Sequence, residues 1–468
     1  MQVRLEHDLL GSKTVPQSAY YGVQTLRAYE NFQISGSAIN KFPALIKALA
    51  MVKKAAAETN CQLGDLAPDI AYAICCACDD IIAGKLHEHF VVDLIQGGAG
   101  TSTNMNANEV IANRALEHLG HGRGDYQRIH PINHVNLAQS TNDVYPTAGK
   151  LAILIGTNDL LAAMQGLVDA LAQKGVEFAP ILKIGRTQLQ DAVPMTLGQE
   201  FAAFAATLAE DIGRIRDTAG VFLEINLGGT AIGTGINTDP AYSGIVIERL
   251  ATIAGFPFCP APDLIEATSD TGSFVVFAAA LKRVAIKLSK ICNDLRLLSS
   301  GPRAGLGEIN LPPVQPGSSI MPGKVNPVIP EAVNMVAFQV MGHEMTITLA
   351  AQAGQLQLNA FEPVMVSNIL ESMSQLTSAM NLLATRCVMG ITANEERCRM
   401  FAEESIGLVT AVQPHIGYEN STRIALQALK TGAKVKDLIL AEGLLQANTL
   451  NEILKPENMT KPRRVPRS

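Results

Sequence analysis

Charge, aromatic rings and strand-like patterning are all scarce in this sequence of 468 residues. Charged side chains make up 17% and aromatic ones 5%, against 47% hydrophobic residues. That much apolar material excludes wholesale disorder and suffices for a large buried core. Lys and Arg number 37 and Asp and Glu 43, a formal charge of −6, which argues against a dedicated nucleic-acid binder. The one basic cluster, Lys461, Arg463, Arg464 and Arg467, reads as a solvated C-terminal end. No uninterrupted apolar run reaches the roughly 18 residues of a membrane-spanning helix. Thr157, Asn158 and Asp159 break one candidate, and Lys282 and Arg283 another. The apolar excess therefore points to burial at subunit interfaces rather than to lipid. Met1 to Leu10 holds Glu6, His7 and Asp8 and has no signal-peptide core. The eight cysteines lack zinc-ligand or oxidoreductase spacing, and Cys75, Cys76 and Cys78 read as small hydrophobes. The expected compartment is a reducing one, and the location cytoplasmic.

What the sequence does have is helical periodicity. Val364, Met365, Ile369, Leu370, Met373, Leu376, Met380 and Leu383 recur at three- and four-residue steps, one buried helical stripe. Similar stretches run over about 150–177, 197–223, 273–298 and 327–352. At ~1.5 Å per residue each spans ~35–40 Å, too long for one small domain. Alanine-rich segments such as 201–209 favour close helix packing. These features predict an all-α fold of three domains: a mainly helical 1–141, a central long-helix bundle 142–395, and a small helical 396–468. Residues 96–108, 226–240 and 302–326 are Gly- and Pro-rich and read as ordered loops, where chemistry tends to sit.

The loop Gly317-Ser-Ser-Ile-Met-Pro-Gly-Lys-Val-Asn326 is not a nucleotide-phosphate loop, since its second Gly comes one residue late and Val325 stands where a magnesium-binding hydroxyl belongs. The Gly228–Gly235 stretch has no dinucleotide fingerprint. His87 with His89, and His130 with His134, find too few partners for a metal site and read as surface or hydrogen-bonding residues. Four polar loops remain inside an apolar chain: 97–104 with Thr101, Gln139-Ser-Thr-Asn-Asp143, Gly185-Arg-Thr-Gln-Leu-Gln-Asp191, and the 317–327 loop with Ser318, Ser319, Lys324 and Asn326. Many neutral donors plus one Lys suit a small dianion carrying two carboxylates. For Ser140, Thr141 and Asn142 a plain helix cap is the alternative reading.

With these motifs in view, the chain resembles the aspartase/fumarase superfamily along nearly its whole length. The 317–326 loop is similar to that superfamily's signature, and Ser140-Thr-Asn-Asp143 and Gly185–Asp191 stand in the family's order and separation. Asp8-Leu-Leu-Gly11, Tyr20-Tyr-Gly22 and Gly390-Ile-Thr-Ala-Asn394 extend the resemblance to both ends. Within it the aspartases are the better match. Fumarases typically carry His where this chain has Gln188, and more often two serines where it has Ser140-Thr141. The stretches 263–270, 301–312 and 354–359 also look like aspartases.

The resemblance implies a homotetramer whose long helices form the central core, with each active site built from loops of three subunits. It implies anti elimination of ammonia from L-aspartate through an aci-carboxylate, giving fumarate. Ser318 matches the catalytic base. Thr101, Ser140, Thr141 and Ser319 match the residues holding the β-carboxylate, and Thr187, Lys324 and Asn326 those holding the α-carboxylate. Asn142 and Gln188 would face the leaving amine. No prosthetic group is implied, since the Ala-Ser-Gly triplet that other ammonia-lyases cyclise is absent. Divalent cations activate some relatives, but these residues define no metal site. The rival readings are a fumarate hydratase and a non-catalytic relative; the intact Ser318, Lys324, Asn326, Thr187 and Ser140–Asn142 speak against the second.

Overall fold

The computed structural model describes residues 2–464, so Arg467 of the basic cluster lies outside the described residues; Lys461, Arg463 and Arg464 are exposed. The chain is mostly helical, with eight short strands among the described residues, each belonging to a two-stranded sheet. It divides into two compact units. One comprises residues 1–161, 213–285 and 338–376, the other 162–212, 286–337 and 377–468. Five long helices, Thr141–Glu177, Leu197–Ala219, Gly272–Leu298, Val328–Gln352 and Glu362–Arg386, contribute residues to both.

In the first unit the Pro43–Leu63 helix packs against Pro68–Ile82, Thr101–His118 and Tyr242–Ala254. Two carboxylates fasten the N-terminal hairpin here. Glu6, on the Val3–Asp8 strand, accepts the Val23 N–H, and Glu109 accepts those of Gly22, Gln24 and Thr25, so together they serve the free donors at the start of the Val23–Asn31 helix. In the second unit the Glu395–Glu404 helix lies on the Leu182–Thr187 strand. Leu408, Val412, Ile424, Val435, Ile439, Leu450 and Ile453 close a separate small core beyond it.

The expected stripe is observed: Met365, Ile369, Met373, Leu376, Met380 and Leu383 are buried on the Glu362–Arg386 helix. Close helix approach comes from glycine as well as alanine. A Cβ at Gly149 would stand 2.7 Å from Val366, and one at Gly156 3.1 Å from Met373, so these two glycines bring the Thr141–Glu177 helix against this stripe.

The first long helix begins at Thr141 rather than near Lys150, and its 37 residues span about 55 Å. Pro146 made the early start illegible, because proline removes the N–H that would bond the carbonyl of Asn142. Here the Asn226 side chain donates to that carbonyl instead, at 3.1 Å. This helix is also long and apolar enough to cross a membrane by length and composition alone, although Thr157, Asn158 and Asp159 interrupt its apolar run. Of its apolar window 56% is buried within the chain, as for a core helix.

Glu362, in the first turn of its helix, is buried, and its Oε2 has no hydrogen-bond partner. Burial pushes its carboxyl up to about 8, opposed only by the charge of Lys150. A folded-state pKa above the ordinary 4.5 means that the neutral acid favours the fold. That contribution is complete below pH 4.5 and is lost as pH rises through about 8. Glu362→Gln is therefore expected to leave stability near pH 4 almost unchanged and to flatten its decline between about pH 5 and 8. Urea unfolding across that range checks this; an unflattened decline would contradict it.

Candidate active site

The 317–326 loop is closed on itself. The Gly317 N–H donates to the Lys324 carbonyl at 2.8 Å, and Asn326 Nδ2 returns to the Gly317 carbonyl at 2.7 Å. A Cβ at Gly317 would sit 2.6 Å from that Lys324 oxygen, so only glycine permits this closure. Within the ring the Ser318 Oγ accepts the N–H groups of Ile320 at 3.2 Å and Met321 at 3.0 Å. Two donors aimed at a hydroxyl oxygen favour its deprotonated form. Ser319 and Lys324 are exposed on the same loop.

Thr187 and Gln188 lie at the tip of a hairpin, not in an irregular loop as expected. The Leu182–Thr187 strand pairs antiparallel with Gln190–Thr196, leaving Gln188 and Leu189 as a two-residue turn. Both have left-handed φ, +56° and +62°. Such turns normally use Asn and Gly, so Gln188-Leu189 carries no hairpin signal. The base of the hairpin is held by buried Glu308, which pairs with Arg186 at 2.7 Å and Lys183 at 2.8 Å, while Lys183 also pairs with Glu200. Removing the carboxylate charge would leave Arg186 without this buried partner and Lys183 with Glu200 alone. Glu308→Gln is expected to cost about 3 kcal/mol of stability and to reduce turnover by displacing Thr187. Thermal melts and steady-state kinetics check this; an unshifted melt would contradict it.

The Ser140–Asp143 turn does cap a helix, as its alternative reading had it. Ser140 Oγ accepts the Asn142 N–H at 3.2 Å, and the Ser140 N–H donates to Asp143 Oδ1 at 3.0 Å. Capping and substrate binding are compatible, because the Ser140 hydroxyl proton stays free to donate. Asp143 is fully buried, and its Oδ2 accepts the N–H groups of Gly228 and Thr230. Burial pushes its carboxyl up to about 6, against those backbone donors and the charge of Lys53. Asn142 Nδ2 donates to the Ala231 carbonyl at 2.7 Å. The 226–235 segment, unassigned from sequence, thus braces the turn.

Thr101 opens the Thr101–His118 helix rather than lying in a loop, and its hydroxyl donates to the Gly98 carbonyl at 2.7 Å. One turn on, Asn104 Nδ2 donates to Thr141 Oγ1 at 3.1 Å, joining this helix start to the 140–143 turn. Thr101 and Ser140–Asn142 therefore belong to the first unit, and Thr187, Gln188, Ser318, Ser319, Lys324 and Asn326 to the second. Sequence reasoning missed Lys53, Asn104, Asn136, Asn226 and Glu308. Their only sequence signal was a polar side chain within an apolar helix or a Gly-rich segment, and Asn136, just after the short Pro131–Val135 helix, lacked even that.

The histidines make hydrogen bonds, His87 with the Ile81 carbonyl and His130 with the N–H groups of Ile132 and Asn133. Among the described residues no three His, Cys, Asp or Glu side chains gather as metal ligands would.

A family model described as Lyase matches residues 11–342, and one described as Fumarase C C-terminus matches 408–461. The chain belongs to the aspartase/fumarase superfamily. One superfamily member similar to it is an aspartate ammonia-lyase of Pseudomonas aeruginosa, 63% identical over 464 residues, or 99% of this chain and 98% of that one. Among solved structures, a fumarate lyase:delta crystallin from Brucella melitensis bound to cobalt is 60% identical with a TM-score of 0.96, covering 98% of this chain and all of that one. A class II fumarase from Schistosoma mansoni superimposes with a TM-score of 0.93 at 34% identity, covering 99% of this chain and all of that one.

Proposed function

We propose that this protein is an aspartate ammonia-lyase, a carbon–nitrogen lyase that converts L-aspartate reversibly to fumarate and ammonia. The observation that carries the mechanism is the Ser318 oxygen, held under two backbone N–H groups in a glycine-closed loop. As the alkoxide, Ser318 takes a proton from Cβ, and the C–H electron pair moves into the β-carboxylate to form the aci-carboxylate dianion. That pair then returns to form the Cα–Cβ double bond as the C–N bond breaks and nitrogen leaves with its electrons. Preorganised donors stabilise the dianion where its charge develops. Ser140 and Thr141 supply hydroxyl protons to the β-carboxylate, with Ser319 and, after rotation away from Gly98, Thr101. Thr187, Lys324 and Asn326 hold the α-carboxylate. Asn142, its Nδ2 already bound to Ala231, turns Oδ1 to the amine, with Gln188 beside it. An amide at position 188 neither takes nor gives a proton at neutral pH, which disfavours activation of water and hence the hydratase reading.

The working form is a homotetramer with sites shared among three subunits, in the cytoplasm and without a prosthetic group. Exposed Met335, Phe338, Met345 and Leu349 on one helix support association, and eight unpaired cysteines support a reducing compartment. The test is ultraviolet detection of fumarate from L-aspartate or L-malate. Fumarate from aspartate alone supports the lyase, from malate alone the hydratase, and from neither a non-catalytic protein. Sedimentation as a monomer would contradict the shared site.

A further inference from the structure

Beneath the 140–143 turn lies a buried polar cluster that the reaction scheme above does not use. Lys53, on the Pro43–Leu63 helix, is fully buried. Its Nζ donates to Asn136 Oδ1 and to Gln139 Oε1, each at 2.9 Å. The same Asn136 oxygen accepts from Asn104 Nδ2 and Asn108 Nδ2, each at 3.1 Å. Asn104 Nδ2 spends its other hydrogen on Thr141 Oγ1.

This chain has a direction, and Lys53 sets it. Burial pulls Lys53 down to about 7, against the charge of Asp143; in its ammonium form it donates only, so both amides facing it then present oxygen, as observed. With its oxygen turned to Lys53, Asn136 can only accept from Asn104, which must therefore present its NH2 group. Both Asn104 hydrogens are then committed, and Thr141 Oγ1 receives one. A hydroxyl that accepts from below keeps its own proton to donate elsewhere. An independent sign of this enforced polarity is that the Asn104 and Asn108 carbonyl oxygens are buried with no partner. An amide free to turn would not leave its oxygen stranded, since an unmet buried acceptor costs about 1–3 kcal/mol.

We propose that Lys53 is a positioning residue for the lyase reaction, acting through Asn136 and Asn104 to hold the Thr141 hydroxyl as a donor to the substrate β-carboxylate. The inference rests on the lyase reading given above. The ionisable groups facing Lys53 are Asp143 on the Thr141–Glu177 helix and the Cys78 thiol on the Pro68–Ile82 helix; from the Thr101–His118 helix Asn104 and Asn108 approach, both neutral. With Lys53 gone, Asn136 and Asn104 are free to turn over. The stranded Asn104 oxygen then accepts the Thr141 proton and withdraws it from the substrate.

The test is a double-mutant cycle on the full-length protein, with L-aspartate as substrate. Lys53→Met and Thr141→Val are each expected to lower kcat/KM about 10²-fold, the usual loss for one missing donor to a developing oxyanion. Because both remove the same proton, the double variant is expected to fall no further than the worse single one. Succinate, a dianion lacking the amine, should bind more weakly to Lys53→Met by a similar factor. Asn104→Asp replaces the NH2 group facing Thr141 by an acceptor oxygen while leaving Lys53 in place; it should behave as Lys53→Met does and replaces it if that variant does not fold. Multiplicative losses in the cycle, or full activity of a folded Lys53→Met or Asn104→Asp, would overturn the proposal. A wild-type protein inactive on L-aspartate would instead overturn the lyase reading itself.

Discussion

Ser318→Ala is expected to lower kcat for L-aspartate about 10³-fold or more, with little change in KM, in a protein that still folds. The loop does not need the hydroxyl to close. Its ring is made by the Gly317 N–H on the Lys324 carbonyl and Asn326 Nδ2 on the Gly317 carbonyl. The two bonds lost with Oγ come from Ile320 and Met321, whose residues are exposed, so water can replace it. What disappears is the only group assigned to take the Cβ proton. Turnover kinetics with circular dichroism as a folding control check this. Near-normal turnover by a folded variant would remove Ser318 as the base.

The second large effect concerns Lys324. It is the one cationic side chain in the signature loop, exposed between Gly323 and Val325. Against a substrate with two carboxylates, an ammonium supplies a point charge that the surrounding hydroxyls and amides cannot replace. Lys324→Ala is expected to raise KM and to lower kcat/KM about 10²-fold to 10³-fold. Succinate inhibition should weaken in parallel, because the lost contact belongs to the carboxylate and not to the amine. Its backbone carbonyl still receives the Gly317 N–H, so the loop is kept. Unchanged succinate binding would show that Lys324 serves something other than a carboxylate.

The parts of this site differ in how legible they were. The signature loop could be read because its chemistry is contiguous: base, charge and turn glycines all fall between 317 and 326. The long helices could be read because one buried stripe repeats locally, as from Met365 to Leu383. Boundaries failed where a distant residue altered the local rule. Pro146 should have ended a helix, but Asn226, eighty residues on, takes up the carbonyl it releases. The 182–196 hairpin was hidden because its turn uses Gln188 and Leu189 in left-handed conformations that normally belong to Asn and Gly. The supporting residues were least visible of all. Lys53, Asn104, Asn136 and Thr141 come from four segments spread over about ninety residues, and the order of donors and acceptors exists only once these are folded together. Lys53 is one of three lysines in its helix, with Lys47 and Lys54, and its spacing gives no sign that it faces two amides.

The most direct measurement runs the reaction backwards in heavy water. Purified protein is given fumarate and ammonium in D2O, and the product is examined by proton NMR. L-aspartate should form with a single deuterium at Cβ, on the face anti to the new amine, and no malate should appear. Ser318→Ala should form it at least about 10³-fold more slowly. Malate in place of aspartate, deuterium on both faces, or an unslowed Ser318→Ala would contradict the account.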